Sequence, residues 1–228
     1  MKIDILTLFP EMFDGFINTS IIKRAIEKGL LEINLINFRD YSPLNNKQVD
    51  DTPYGGGSGM ILRCEPIFEC LDSIDTKDAY IIMLSPEGTQ YKQNVAKRLL
   101  EQKHLIILCG HYEGFDERIK TRVDEVISIG DYILTGGEIP SMAITDSIAR
   151  LIPGVITSGS LEDESFNSSL LDYPTYTKPA EYRGLKVPDV LLSGNHKNIE
   201  EYHKISRIEK TKKLRPDLWK GEKWLITF

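Results

Sequence analysis

The chain is poor in cysteine. Cys64, Cys70 and Cys109 are an odd number, and none forms a C-x-x-C pair. That argues against a disulfide framework and against a thiolate zinc site, and the three are expected to be reduced thiols of the core. Histidine is equally scarce: His104, His111, His196 and His203 show no H-E-x-x-H or other paired metal spacing. Each reads as a core or surface histidine, and only His111 lies inside a motif. No apolar run reaches the roughly 20 residues of a membrane span. The opening MKIDILTLFPEMF lacks the basic start and the small-residue cleavage site of a signal peptide. A cytoplasmic protein without membrane association is expected. Phosphate-binding signatures are missing too. In SIGDYILTGGEIP, residues 128 to 140, Gly137 is followed by Glu138 and Ile139 instead of Lys and Ser, and Gly130, Gly136 and Gly137 do not have the G-x-G-x-x-G spacing. Asp131 and Glu138 flank this loop and would repel a phosphate, so its ligand is expected to be neutral or cationic.

What is present is an ordinary globular composition, 41% hydrophobic and 27% charged over 228 residues, enough for one large domain or a main domain with a smaller one. The formal net charge of -6 argues against nucleic acid until its distribution is considered. From Lys178 onward there are 12 Lys and Arg against 7 Asp and Glu, a net of +5, which leaves -11 on the rest. A basic end on an acidic body fits an RNA-facing segment, and equally a solvated helix face.

Along the chain, MKIDILTLF reads as a strand, PEMFDGFINTSIIKRAIEKG as one helix stopped by Gly29, and LEINLINF as a second strand. The polar stretch from Arg39 to Met60 is too long for a plain connection. CEPIFECLDSI and QNVAKRLLEQ read as helices, AYIIMLSP and LIILCG as buried strands, EGFDERIKTRV as a short helix, DEVISIG as a strand and EIPSMAITDSIARLI as a helix. Continuous apolar strands alternating with helices predict an α/β fold with a parallel sheet covered on both faces. TSGSLEDESFNSS, residues 157 to 169, reads as a linker between a domain at 1–156 and a smaller one at 170–228. In the latter, NIEEYHKISRIEKTKKLR reads as a helix with Asn198 as a candidate cap.

Three segments follow three successive strands: LSPEG at 84 to 88, CGHYEGFDER at 109 to 118 and SIGDYILTGG at 128 to 137. In open parallel sheets, ligands sit beyond the carboxyl ends of the strands, so the three are expected to converge on one pocket.

These segments, with DDTPYGGGSGM at 50 to 60, DSIARLIPGV at 146 to 155, and LLDYPTYTKP and VPDVLLSGNH in the last third, resemble the bacterial tRNA (guanine-N1)-methyltransferases of the SPOUT class, nearly from end to end. The resemblance implies a deep trefoil knot in the parallel sheet, a small mostly helical C-terminal domain that binds tRNA, and a homodimer with active sites between subunits. It implies methyl transfer from S-adenosylmethionine to N1 of guanine 37, beside the anticodon, and leaves room for Mg2+. The 128–140 loop then resembles the one that wraps the adenosine of the methyl donor, a sulfonium cation without phosphate. The cofactor-binding residues so implied are Leu84, Ser85, Pro86, Gly110, Tyr112, Glu113, Ile129, Gly130, Asp131, Tyr132, Ile133, Leu134, Gly136, Gly137 and Pro140. In that reading a side chain at Gly136 would block the adenine.

Guanine N1 carries a proton, so transfer needs a base at N1 and a positive group where charge gathers on O6. The resemblance assigns the second role to Arg150. Its base position, just before Ser165 and Phe166, holds Glu164 where relatives have aspartate, and Asp163 stands one place earlier. Glu164 is favoured on position, with Asp163 kept as the alternative. His111 is a second departure, since relatives often carry Arg there. For the tRNA, Gly55, Gly56, Gly57, Ser58 and Gly59 are candidates to close over a flipped base, and Lys210 and Lys213 to hold phosphates.

Overall fold

The computed structural model describes residues 1–157, 165–166 and 169–219. It divides after Ile156 into two units, Met1–Ile156 and Thr157–Phe228. In the first unit the strands are β1 (Lys2–Thr7), β2 (Glu32–Asn37), the short β3 (Asp50–Asp51) and β4 (Ile61–Leu62), β5 (Tyr80–Gln90), β6 (His104–Leu108) and β7 (Glu125–Ser128). Five of them form one parallel sheet in the order β2-β1-β6-β5-β7, while β3 and β4 pair as a small antiparallel hairpin. The helices are α1 (Asp14–Ile17), α2 (Ser20–Glu27), α3 (Cys64–Ser73), α4 (Gln93–Leu100) and α5 (Glu138–Ala149).

The side-chain period of two splits the apolar strands between two cores. Ile3, Ile5, Ile82, Leu84, Leu105, Ile107 and Ile127 pack with α2, α4 and α5 through Ile22, Ala25, Leu99, Ile144 and Ile148. Leu6, Leu8, Ile81, Met83, Ile106 and Leu108 pack on the other face with Ile67, Cys70 and Leu71 of α3. All three cysteines are free and buried, and burial pushes the Cys70 thiol up to about 12. The expectation of a parallel sheet with two covered faces and reduced core thiols is met. His104 is also internal, its Nε2 2.8 Å from the buried Asp4 carboxylate at the amino ends of β1 and β6.

Four local expectations change. The segment from Pro10 is not one helix. It is a 3-10 turn (Pro10–Phe13), then α1, then α2, because Asn18 Nδ2 and Thr19 Oγ1 donate back to the carbonyls of Asp14 and Gly15, at 2.9 and 2.6 Å, and end the first helix there. The expected helix at EGFDERIKTRV is only a 3-10 helix, Glu117–Arg122, capped by Asp116, whose Oδ1 accepts from Arg118 N at 2.9 Å. LSPEG does not leave the sheet: β5 runs on to Gln90, and both Leu84 and Thr89 pair with Ile127 of β7 across a shift in register. Gly88 makes this passage possible, since a Cβ there would lie 2.5 Å from Ile127 N.

The fourth change is in the second unit. It holds a hairpin of β8 (Glu181–Tyr182) and β9 (Leu185–Lys186), then α6 (Asp189–Leu192) and α7 (His196–Leu214). Asn195 caps α7, its side chain accepting from Asn198 N at 3.3 Å, so the helix starts earlier than Asn198 would place it. Buried Thr211 ties the preceding segment to α7: its Oγ1 accepts from Leu171 N at 2.9 Å and donates to Arg207 O at 2.7 Å. The Tyr173 ring stacks on His203, centroids 3.6 Å apart.

Candidate active site

Beyond the carboxyl ends of β6 and β7, and beside Leu84–Pro86 in the middle of β5, lies a cavity of about 260 Å3. All three expected segments line it. Of the residues expected there, Leu84, Ser85, Pro86, Gly110, Tyr112, Glu113, Ile129, Gly130, Tyr132, Ile133, Leu134, Gly136, Gly137 and Pro140 do, and Asp131 does not. Phe115, Ser128 and Thr135 were not expected, and they join the lining with His111.

Backbone contacts hold the segments at this spacing. Gly137 N donates to Gly110 O at 2.8 Å, which joins the loop after β7 to the loop after β6. A Cβ on Gly137 would stand 2.6 Å from the Cα of Cys109, so only glycine permits the approach. Ser128 Oγ donates to Gly130 O at 3.1 Å and closes the start of the loop. Tyr91 N donates to Ser128 O at 2.7 Å, and the Tyr91 hydroxyl lies 2.6 Å from Ser147 Oγ on α5.

The polar chemistry differs from the expectation in one respect. Asp131 was expected to bind the ligand and Glu138 to flank the loop as a phosphate-repelling acid, and neither lines the cavity. Glu138, in the first turn of α5, is 1% exposed. Its Oε1 accepts from Thr7 Oγ1 at 2.6 Å, and its Oε2 lies 2.7 Å from His111 Nε2. Thr7 also accepts from Phe9 N at 3.0 Å, and the Phe9 ring packs on His111 with centroids 4.7 Å apart. The acid that does line the cavity is Glu113, and no lysine or arginine is among the lining residues. The conclusion that the site is not a phosphate cradle therefore stands on other residues than those first invoked. Gly136 lines the cavity and has a packing role besides. A side chain there would run into His111 Nε2 and Glu138 Oε2, so this glycine makes room for the pair beneath the loop.

The roles of Thr7 and Phe9 against Glu138 and His111 beneath the lining were not expected. Their signal was available, because Thr7 is a polar residue closing an apolar strand at the end where such sheets bind ligands.

The GGGSG segment lies outside the cavity lining but is rooted beside it. Glu113 N donates to Met60 O and Leu62 N to Gly114 O, each at 2.9 Å. Gly59 packs so closely on Glu113 that a Cβ would overlap its side chain. At the hairpin base, Arg63 pairs with Asp51 and Glu65, which holds the Glu65 carboxyl below the usual range. Tyr54, Gly55, Gly56, Gly57 and Ser58 are exposed.

Arg150 caps the carboxyl end of α5, its N–H donating to Asp146 O at 3.1 Å. The cavity is at the opposite end of that helix, about 18 Å away along 12 residues. Glu164 and Asp163 lie outside the described residues. In the second unit, Lys210 and Lys213 share one face of α7 with Tyr202, Ser206 and Glu209, along a shallow cavity of about 430 Å3. Among the described residues no group of His, Cys, Asp and Glu could hold a metal ion, and no helix is long and apolar enough to cross a membrane.

Comparison with known proteins adds an independent finding. A family model described as tRNA (Guanine-1)-methyltransferase TrmD matches residues 1–221. A tRNA (guanine-N(1)-)-methyltransferase of Macrococcus caseolyticus is 55% identical over 220 residues, covering 96% of this chain and 91% of its own length. Proteins of the same name from Malacoplasma penetrans and Carboxydothermus hydrogenoformans are each 54% identical, with 96% of this chain covered and 97% and 88% of their own lengths.

Proposed function

The chain belongs to the tRNA (guanine-1)-methyltransferase family, and on that premise we propose how its parts divide the transfer of a methyl group from S-adenosylmethionine to N1 of guanine 37 in tRNA. The observation that carries the division is the cavity behind β5, β6 and β7, with apolar walls, close-packed glycine backbone and no lysine or arginine in its lining. That lining fits an uncharged nucleoside joined to a sulfonium. When bound, the donor supplies an electrophilic methyl group. Ile129, Ile133, Leu134 and Pro140 would hold its apolar part and exclude water, while backbone groups of the 128–137 loop would meet the polar edge of the base.

The remaining work falls on protein side chains. Glu164, or failing it Asp163, takes the N1 proton, and Arg150 donates hydrogen bonds to O6 as negative charge collects there. Arg150 stands a helix length from the cavity of its own chain, so an arginine acting there comes from a second copy. This supports a homodimer with active sites between subunits. So do Ile139 and Ala143, apolar residues four apart on α5, both exposed, Ile139 to 52%. The trefoil knot belongs to the same reading. The second unit would act as the tRNA-binding domain, with Lys210 and Lys213 on phosphates and the GGGSG segment closing over the flipped guanine. A cytoplasmic location goes with a tRNA substrate, and no step is assigned to Mg2+.

Incubating unmodified tRNA transcripts with labelled donor and mapping the nucleosides tests the whole reading, with 1-methylguanosine expected at position 37. In single-turnover assays, Glu164→Gln and Arg150→Ala should each slow transfer by on the order of a hundredfold, with donor still bound and melting temperature nearly unchanged. A normal rate in Glu164→Gln with a slow Asp163→Asn would move the base to Asp163. Normal rates in both would place proton removal elsewhere.

A further inference from the structure

From the ion pairs at the base of the β3–β4 hairpin, we infer that Arg63 is a positioning residue for methyl transfer: it holds the entry end of the 52–60 segment in the geometry from which that segment closes over the target guanine. This rests on the reading that the segment closes over the flipped base.

The segment joins its unit at two ends that are held differently. At the exit, Glu113 N donates to Met60 O and Leu62 N to Gly114 O, each at 2.9 Å, and Asp116 N donates to Leu62 O at 2.8 Å. Leu62 is wholly buried, so this end is fixed by backbone bonds and by the core. At the entry, β3 is only two residues long, and a hairpin that short is marginal without further support. Arg63 N extends it by donating to Val49 O at 2.9 Å, and side chains do the rest. Asp51 Oδ1 accepts from Thr52 N at 2.8 Å, where the segment begins, while Oδ2 takes the Arg63 guanidinium. The same guanidinium reaches Glu65 in the first turn of α3, Nη2 to Oε1 at 2.7 Å and Nε to Oε2 at 3.4 Å.

An isolated ion pair at the surface contributes little, and Asp51 is half exposed. Geometry sets this group apart. Arg63 is less exposed than either acid, and its fork meets two carboxylates at once. One of them stands on a helix whose Cys64, Ile67, Cys70 and Leu71 are buried in the core. Glu65 therefore aims the guanidinium from a fixed base, and the entry end docks on it through Asp51. A lysine could offer the charge but not the fork. The segment carries glycines at 55, 56, 57 and 59, so with its entry end loose it samples many conformations, few of which can close over a base. Neither Arg63 nor Asp51 lines the cavity, so loosening the tie leaves the donor site in place.

The test uses the full-length protein as wild type, Arg63→Gln, Arg63→Lys, Asp51→Asn and the double variant of Arg63→Gln with Asp51→Asn, each checked by thermal melting and by calorimetric titration of S-adenosylmethionine. Two rates are compared: chymotryptic cleavage after the exposed Tyr54, located by fragment mass, and single-turnover methylation at saturating tRNA transcript. Arg63→Gln should be cut roughly fivefold faster after Tyr54 and should methylate roughly fivefold more slowly, with donor affinity and melting temperature nearly unchanged. Asp51→Asn keeps an acceptor for Thr52 N and should match it. The double variant should be no worse than either single one, and Arg63→Lys should fall between wild type and Arg63→Gln. Unchanged cleavage in Arg63→Gln overturns the inference, and so do additive losses in the double variant. Weaker tRNA binding with a shallower salt dependence and unchanged cleavage would make Arg63 a phosphate contact, which also overturns it. Faster cleavage with a normal methylation rate would instead overturn the reading that the segment closes over the base.

Discussion

Two glycine-rich loops stand side by side in the first unit, and they use the same residue for opposite physical reasons. In the 52–60 segment, Gly55 and Gly56 have φ of +87° and +82°, and a Cβ on either would meet nothing within 4 Å. These two glycines serve backbone conformation, in a segment exposed at its tip and rooted at the β3–β4 hairpin, where Gly59 alone packs closely, on Glu113. In the 128–137 loop, Gly136 and Gly137 have no such φ, yet a Cβ on either would overlap a neighbour. Their glycines serve close approach. A loop of the first kind suits movement over a large substrate, and one of the second kind a fixed wall for a small ligand.

The largest effect in this comparison should come from Gly137→Ala. Its Cβ meets backbone atoms, 2.6 Å from Cys109 Cα and 2.8 Å from Gly110 N, which cannot swing aside as a side chain can. A stability loss of roughly 3 kcal/mol and undetectable donor binding are expected, read by thermal melting and calorimetry. A variant that melts and binds like wild type would show that the wall is not fixed.

Gly136→Ala comes next, because the atoms it meets are the ends of His111 and Glu138. It should fold, with donor affinity down by on the order of tenfold and tRNA affinity unchanged. If its loss is no greater than that of an alanine in the exposed loop, the two loops use glycine alike and the contrast fails.

The smallest effect should come from Gly56→Ala. Only the left-handed backbone resists it, at a cost of about 1 kcal/mol, and nothing crowds the new methyl group. Donor affinity should stay as in wild type while methylation of tRNA slows a few-fold. A loss of donor binding would make the exposed segment part of the cavity wall.

The two loops also differ in how much of them was legible. Both announced themselves as glycine clusters, the first inside a long polar stretch and the second after a strand, and the rule for parallel sheets was enough to bring the 84–88, 109–118 and 128–137 segments together. The linker acids cannot be compared in this way, since Glu164 and Asp163 lie outside the described residues. Glu138 was legible as an acid in the first turn of a helix, where the helix dipole favours one whether it is solvated or enclosed. Nothing local separates the two cases, and here the enclosed one holds. LSPEG likewise carries turn residues, but Gly88 served to let β5 run past the backbone of β7.

The sequence alone determined what depends on neighbours along the chain: the alternation that sends Ile3 and Ile5 to one face of the sheet and Leu6 to the other, the helix stops, and the glycines without which neither loop could form. The tertiary structure alone decided what depends on groups far apart in the chain. Thr7 and Glu138 are separated by 131 positions, and His111 and Glu138 by 27. Periodicity records which face a residue turns toward and says nothing of which distant residue it meets there. That meeting is set by strand order and by the close packing of the interior, and it turned a glutamate that reads as an acid flanking a loop into a buried partner of Thr7 and His111 beneath that loop.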